Sequence, residues 1–381
     1  MIRLPLLACR QLLIWFLGLA CAGLTQAQGV TDTSIVLGQN LTLQEGKNSY
    51  GVAAAHGMKL YFDQVNEAGG VHGRKIVARI LDDDNKADKA EANARQLVSD
   101  GAFILFGAID GGPSAAVMKV ANDLKVPFFG PLAGPPTLRS PHQPLVFPVR
   151  AEHKDEFQAL MDWGKKTGLK TVGFLRADSP AGQMHLANVQ RIAKALGLEV
   201  VVDIPFKGDI SDAQIAEWVK AIGTSQTDMF INHGSAGLYQ RLVAHAKNAG
   251  LKTTFMAVNS GSSQIAKGLG PLAKGMVFAQ VVPNPRARKL AIAREYQDAA
   301  RKADPKAEFS YGALEGYMTA KAMVMSLEAT GRNLTRARWL QTMTNAHFDL
   351  GGVDIQYKPG NHEGSHFVDL SMVDREGRFL Q

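Results

Sequence analysis

The segment His362-Glu363-Gly364-Ser365-His366 spells the H-E-x-x-H string with which zinc proteases hold two imidazoles and a carboxylate base. That chemistry needs both histidines on one helical face, so that two ring nitrogens reach one metal. Here the string follows Pro359-Gly360-Asn361, contains Gly364-Ser365 and runs into the strand-like Phe367-Val368-Asp369-Leu370, so a helix is not expected and no metal site is assigned. Asp82-Asp83-Asp84 lacks the oxygen-ligand spacing of a calcium loop and reads as a strand end leading to a helix cap at Asp84 or Asn85. His233-Gly234-Ser235-Ala236-Gly237 only looks like a nucleophile elbow, and no base partner for Ser235 is evident. Neither a Walker loop nor G-x-G-x-x-G follows a predicted strand. The chemistry-bearing residues therefore point to recognition, with no catalytic set, cofactor or metal.

The most informative stretch is residues 103–117. Phe103-Ile104-Leu105-Phe106 is continuously apolar, which suits a strand covered on both faces. After it, Ile109-Asp110-Gly111-Gly112 forms a turn and Pro113 opens a helix, where its missing N–H costs nothing. Ligands of open α/β sheets dock at such strand ends. Gly111 and Gly112 let backbone approach a ligand closely, and free N–H groups at the helix start attract an anion or carbonyl. The same turn also serves as a plain structural connection. Asp110 either points its carboxylate into a site or caps the helix.

The elements that must position this turn repeat one pattern of apolar strand, polar or Gly turn and amphipathic helix. Strands are predicted at 34–38, 76–81, 103–106 and 126–129, with helices between them, and a second alternation begins after Pro148 with strands at 171–175, 200–204, 229–232, 255–258 and 275–282. The fold class is α/β, and 381 residues accommodate two lobes. Helical runs at 286–303, 311–330 and 335–347 have no strands between them and are expected to return to the first lobe. Residues 353–357 and 367–373 read as a hairpin joined by Lys358-Pro359-Gly360-Asn361.

At the N-terminus, Arg3 and Arg10 precede an apolar run too short to span a bilayer, and Thr25-Gln26-Ala27 offers a cleavage site. Cleavage after Ala27 removes both cysteines, Cys9 and Cys21, and lowers the formal charge from +7 to +5. The remaining basic residues are dispersed along the chain, which gives no nucleic-acid face.

Five phrases occur in order: Val36-Leu37-Gly38, Asn48-Ser49-Tyr50-Gly51, Val65-Asn66-Glu67-Ala68-Gly69-Gly70-Val71-His72-Gly73-Arg74-Lys75-Ile76, Leu81-Asp82-Asp83-Asp84 and Val126-Pro127-Phe128-Phe129-Gly130-Pro131. In them the chain resembles the periplasmic solute-binding proteins of ABC importers, in particular the branched-chain amino-acid binding family. The resemblance implies two Rossmann-like lobes with parallel central sheets, joined by three hinge crossovers near Pro148, Pro283 and Leu350-Gly351-Gly352. Residues 28–148 with 283–351 then form one lobe, and 149–282 with 352–381 the other. It implies a monomeric periplasmic protein that holds a small-molecule solute in the cleft and hands it to an inner-membrane permease, without nucleic-acid partners.

The resemblance places ligand contacts at Tyr50, at Ile109, Asp110, Gly111 and Gly112, at Ala133 and Gly134, at Asp178 and Ala181, at His233, Gly234 and Ser235, and at Asn259. Tyr50 either stacks on a ligand ring or plugs the lobe interface, and His233 is either a ligand donor or structural. Amino-acid binders of the family use hydroxyl side chains where this chain has Gly111 and Gly134, and an acidic residue where it has Asn259. Asparagine lacks the charge that strengthens an ammonium contact. The expected solute is thus a small carboxylate, an aromatic acid or an amide, and a simple α-amino acid is not expected. A ligand sensor of the same fold and an exported hydrolase are the competing functions.

Overall fold

The computed structural model describes residues 28–380 except 260 and 377, so the leader read at residues 1–27 lies outside it. The first lobe is built from β1 (Ser34–Leu41), α1 (Glu45–Glu67), β2 (Lys75–Asp82), α2 (Ala87–Ser99), β3 (Ile104–Phe106), α3 (Gly111–Leu124), β4 (Phe128–Phe129) and β5 (Val146–Phe147). Its strands form an all-parallel sheet in the order β2-β1-β3-β4-β5. The unbroken apolar run of β3 is fully buried, as a strand sandwiched between helices requires.

The second lobe follows with α4 (His153–Lys166), β6 (Thr171–Ala177), α5 (Pro180–Leu196), β7 (Glu199–Phe206), α6 (Asp212–Thr224), β8 (Met229–His233), α7 (Ala236–Asn248), β9 (Thr254–Ala257), α8 (Ser262–Leu269) and β10 (Val277–Gln280). The chain then runs through α9 (Ala291–Ala303), α10 (Tyr311–Thr330), α11 (Arg336–Met343), β11 (His347–Asp349), β12 (Asp354–Lys358), β13 (Asn361–Gly364), β14 (Asp369–Val373) and β15 (Phe379–Leu380). The second sheet has the order β15-β14-β10-β9-β8-β6-β7, parallel except for the antiparallel β14 and β15.

The late helices do return to the first lobe: Tyr296, Leu314, Tyr317 and Trp339 join the core that contains Leu37, Met58 and Phe106. The C-terminal strands differ from the expected hairpin. β12 pairs antiparallel with β13, whereas β14 pairs with β10 of the second sheet. Ile355 and Tyr357 pack into the first lobe's core, and the Tyr357 hydroxyl donates to the Pro148 carbonyl at 2.8 Å. Phe348, Ile355 and Tyr357 hold β11 and β12 to the first lobe, and β13 follows through its pairing with β12 and the His362 contact to the Val146 carbonyl, so the third crossover follows Gly364. This corrects the expected position at Leu350-Gly351-Gly352, and residues 352–364 do not belong to the second lobe.

Helices α1 and α10 cross so closely that a Cβ on Gly316 would lie 2.0 Å from the Ala54 carbonyl oxygen, and one on Gly57 1.8 Å from that of Ala313. Close backbone approach there requires glycine on both helices. Gly316→Val is expected to destabilise the protein by about 2 kcal/mol or more, since overpacking costs ~1–3 kcal/mol and here meets backbone. Urea unfolding checks this, with Gly237→Ala, whose Cβ meets nothing within 4 Å, as the neutral control.

Candidate functional site

In each sheet the strand order reverses beside one strand: β2 and β3 flank β1, and β7 and β8 flank β6. Crevices outside the carboxyl ends at such points are where open α/β sheets take ligands. The turn Ile109-Asp110-Gly111-Gly112 stands at the first of these. Ile109 is buried and bridges Leu132, while Gly111 and Gly112 are exposed and begin α3. Ala133 and Gly134 lie in the adjacent loop; a Cβ on Gly134 would sit 2.8 Å from the His153 ring. Glycine at 134 is thus set by packing against the second lobe's first helix.

Asp110 does not cap α3 with its side chain, which corrects that alternative. Its Oδ2 accepts from Asn48 Nδ2 at 2.9 Å, and the Asn48 Oδ1 accepts from the Gly51 amide at 2.8 Å. The residue has φ 63° and ψ 159°, backbone space that suits glycine and costs other residues ~1–3 kcal/mol. The turn is therefore strained and its carboxylate is fixed by α1. Burial, with Asp83 nearby, pushes the Asp110 carboxyl up, against the pull of Arg150 and Asn48.

A buried polar cluster joins the two lobes. Tyr50 of α1 donates its hydroxyl to Glu315 Oε2 on α10. From the second lobe, Asn259 Nδ2 donates to the Tyr50 oxygen at 2.8 Å and to Glu315 Oε2 at 3.2 Å. Tyr50 thus lies at the interface between the lobes. The Asn259 amide N–H donates to Glu156 Oε2 at 2.6 Å; Glu156 Oε1 receives Arg150 Nη2 and lies 2.8 Å from His153 Nδ1. Burial raises the Glu156 carboxyl, opposed by Arg150 and the Asn259 amide. Burial alone pushes Glu315 up to about 8.

Beside Glu156, the rings of His153, His185 and His233 cluster, with centroids 3.8–5.3 Å apart. Burial drives His153 and His185 well below the usual imidazole value and His233 down to about 4. Several buried polar atoms here have no partner: both His185 ring nitrogens, His233 Nδ1, Asn232 Oδ1, Asn259 Oδ1, Ser262 Oγ and Glu315 Oε1. Unpaired buried polar groups are rare and costly, which marks this region as one built to receive further contacts.

Not every expected residue joins the cluster. Asp178 is exposed, and Ala181 lies in the first turn of α5 behind the Ser179 cap. Ser235 is exposed, and its hydroxyl accepts from the Leu238 amide as the cap of α7. Gly234 is positioned by Phe206, 2.7 Å from where its Cβ would be. The H-E-x-x-H string lies across β13: His362 is buried against Phe147, while His366 is exposed beside Asp155. Among the described residues no group of three His, Cys, Asp or Glu is placed to hold a metal ion. Arg150, Glu156, His185 and Glu315 were not singled out from sequence. For Glu315 a signal existed, a carboxylate in an otherwise apolar helical stretch.

The three histidines make stability depend on pH in a definite sense. Unfolded histidine titrates near ~6.5, whereas the folded rings stay neutral to lower pH, so the unfolded state binds more protons and stability falls on acidification. The loss runs from ~pH 6.5 down to about 4 for His233. Each histidine contributes up to about 2 kcal/mol of loss at pH 5. Glu315, held up to about 8, acts in the opposite sense between pH 7 and pH 5, so the histidine contribution is read as a difference: by chemical denaturation at the two pH values, His185→Phe is expected to lose less stability on acidification than the unsubstituted protein.

Comparison with known proteins agrees with this architecture. The sequence profile described as "Periplasmic binding protein" matches residues 34–378. The chain is 26% identical over 268 residues to the leucine-, isoleucine-, valine-, threonine- and alanine-binding protein of Pseudomonas aeruginosa, covering 69% of this chain and 70% of that protein. Among solved structures, an extracellular ligand-binding receptor from Verminephrobacter eiseniae superposes with a TM-score of 0.80 at 23% identity, covering 92% of this chain and 100% of that one. An ABC-transporter solute-binding protein from R. palustris, solved with benzoate, gives 0.75 at 20% identity, covering 91% and 95%. Two sheets of mainly parallel strands, linked through buried polar side chains, agree with these matches, and the chain belongs to the periplasmic binding protein family.

Proposed function

We propose that this chain is the periplasmic component of an ABC importer: it captures a small polar or aromatic solute, of carboxylate, amide or amino-acid-like chemistry, between its lobes and delivers it to an inner-membrane permease. The observation that carries this reading is the buried interlobe cluster, whose unpartnered atoms belong to Asn232, His233 and Asn259 at strand ends of the second lobe and to Glu315 on α10 of the first. The relative from Pseudomonas aeruginosa is named for amino acids and the R. palustris neighbour holds benzoate, so the fold serves polar and aromatic solutes alike.

In this reading the first lobe presents Tyr50, Ile109, Asp110, Gly111, Gly112, Ala133 and Gly134, and the second presents His233 and Asn259. Solute bridges the two sets, and closure aligns the outer faces of the lobes for the permease. Solute shifts the open–closed balance only by its differential affinity for the closed form. The lobes turn about the connections near Pro148, near Pro283 and after Gly364. No bond of the solute is broken, and the cleaved leader directs export.

A thermal-shift screen over aromatic acids, short carboxylates, amides and amino acids tests this, because a ligand at 100 times its Kd stabilises by about 2.7 kcal/mol. A binding solute is expected to contract the protein in small-angle scattering. Asn259→Ala is expected to weaken binding by about tenfold or more. Turnover of the bound compound, or no stabilising solute, would overturn the reading.

A further inference from the structure

We propose that Glu315 selects the solute by receiving a cationic nitrogen: an ammonium, amidinium or guanidinium group. The inference rests on the interlobe cleft being the binding site and goes further by naming the charge of what is bound.

Glu315 lies within α10, a helix otherwise built almost wholly of buried apolar and small residues. It is 2% exposed. Withdrawing a carboxylate from water is costly unless its oxygens are matched by donors or cations. Only one oxygen is matched here: Oε2 accepts from Tyr50 and Asn259, while Oε1 has no partner. The guanidinium of Arg150 does not satisfy it, since its Nε stands 3.9 Å away and donates to the Ala151 carbonyl. Asn259, fully buried, likewise leaves its Oδ1 unpartnered. The two vacant positions belong to residues that touch each other from opposite lobes, and both are acceptors once Glu315 is ionised. A group that satisfies both must donate.

Charge separates a cation from a neutral donor. The groups of this cluster are Tyr50 from α1, Asp110 at the head of α3, Arg150 after β5, Glu156 from α4 and Asn259 after β9. With Glu315 they bring three carboxyl groups to Arg150, behind which Arg139 donates to the Arg150 carbonyl. Burial raises all three carboxyls, and Glu315, at about 8, is largely protonated near neutral pH until a cation draws it into its ionised form. The neighbouring His153, His185 and His233 stay neutral because burial opposes their protonation. A bound cation favours the ionised form of Glu315, whereas an anion beside it opposes that form. The acidic group expected at position 259 is therefore not missing; the opposite lobe supplies it beside Asn259.

The test uses skeleton-matched probes on the intact protein: benzamidine, benzamide and benzoate in one set, 3-methylbutylamine and 4-methylpentanoate in the other. Thermal shift and calorimetry are expected to rank the cation at least about tenfold tighter than the anion in each set. Glu315→Gln keeps the side chain's shape and is expected to cost benzamidine about tenfold or more, and benzamide less. The unmodified protein gives an independent readout: benzamidine affinity is expected to rise between about pH 6 and about pH 8.5, as Glu315 must ionise to hold the cation. Benzoate or 4-methylpentanoate binding tighter than the cation of its set, no shift by either cation, a flat pH profile, or an unchanged benzamidine affinity in a folded Glu315→Gln overturns the proposal. If anions alone stabilise the protein, the solute-binding reading stands and the assignment to Glu315 fails.

Discussion

The buried carboxylate of Glu156 organises the region between the lobes. It takes Arg150 and His153 on one oxygen and the Asn259 amide on the other, and so ties the end of the first crossover, the start of α4 and the end of β9 to one point. Removing one partner of such a buried ion pair leaves a charge with no water to replace it, at a cost of ~3–5 kcal/mol. The geometry beyond it follows. With its backbone fixed by Glu156, Asn259 aims its side chain at Tyr50 and Glu315, and His153 backs the Gly134 loop so closely that no side chain fits there.

This arrangement explains how two lobes with separate cores come to share one polar site. Each sheet reverses its strand order at one place, and between the sheets Tyr50 and Glu315 of the first lobe meet Asn259 of the second. Apolar residues settle where the sheets and helices lie, because burial rewards any arrangement that hides β3, β4 and the inner face of α10. Polar residues at the strand ends have fewer acceptable positions, since each unmatched donor or acceptor is penalised.

Much of the architecture was legible in the chain because strands covered on both faces carry an unmistakable apolar run, as residues 104–106 do, and because Gly and Pro punctuate the turns between them. The late helices could be returned to the first lobe by the absence of strands between them. The C-terminal strands could not be paired correctly: alternation predicts a strand but not its neighbour, and Asn361, His362 and Glu363 do not advertise the strand that displaces 367–373 as the partner of β12. In the site, the Gly111–Gly112 turn and Tyr50 were visible because glycine and an amphipathic aromatic have few other uses at such places. Arg150 and Glu156 stand six positions apart, but His185 and Glu315 reach them only through tertiary packing.

The first and third connections between the lobes lie side by side. The Ser365 amide donates to the Val149 carbonyl at 2.9 Å, Tyr357 holds the Pro148 carbonyl, and a Cβ on Gly364 would strike that same oxygen. Two strands laced in this way flex as a single ribbon and resist sliding past each other. In the solute capture proposed above, neither connection can then change its path without carrying the other with it.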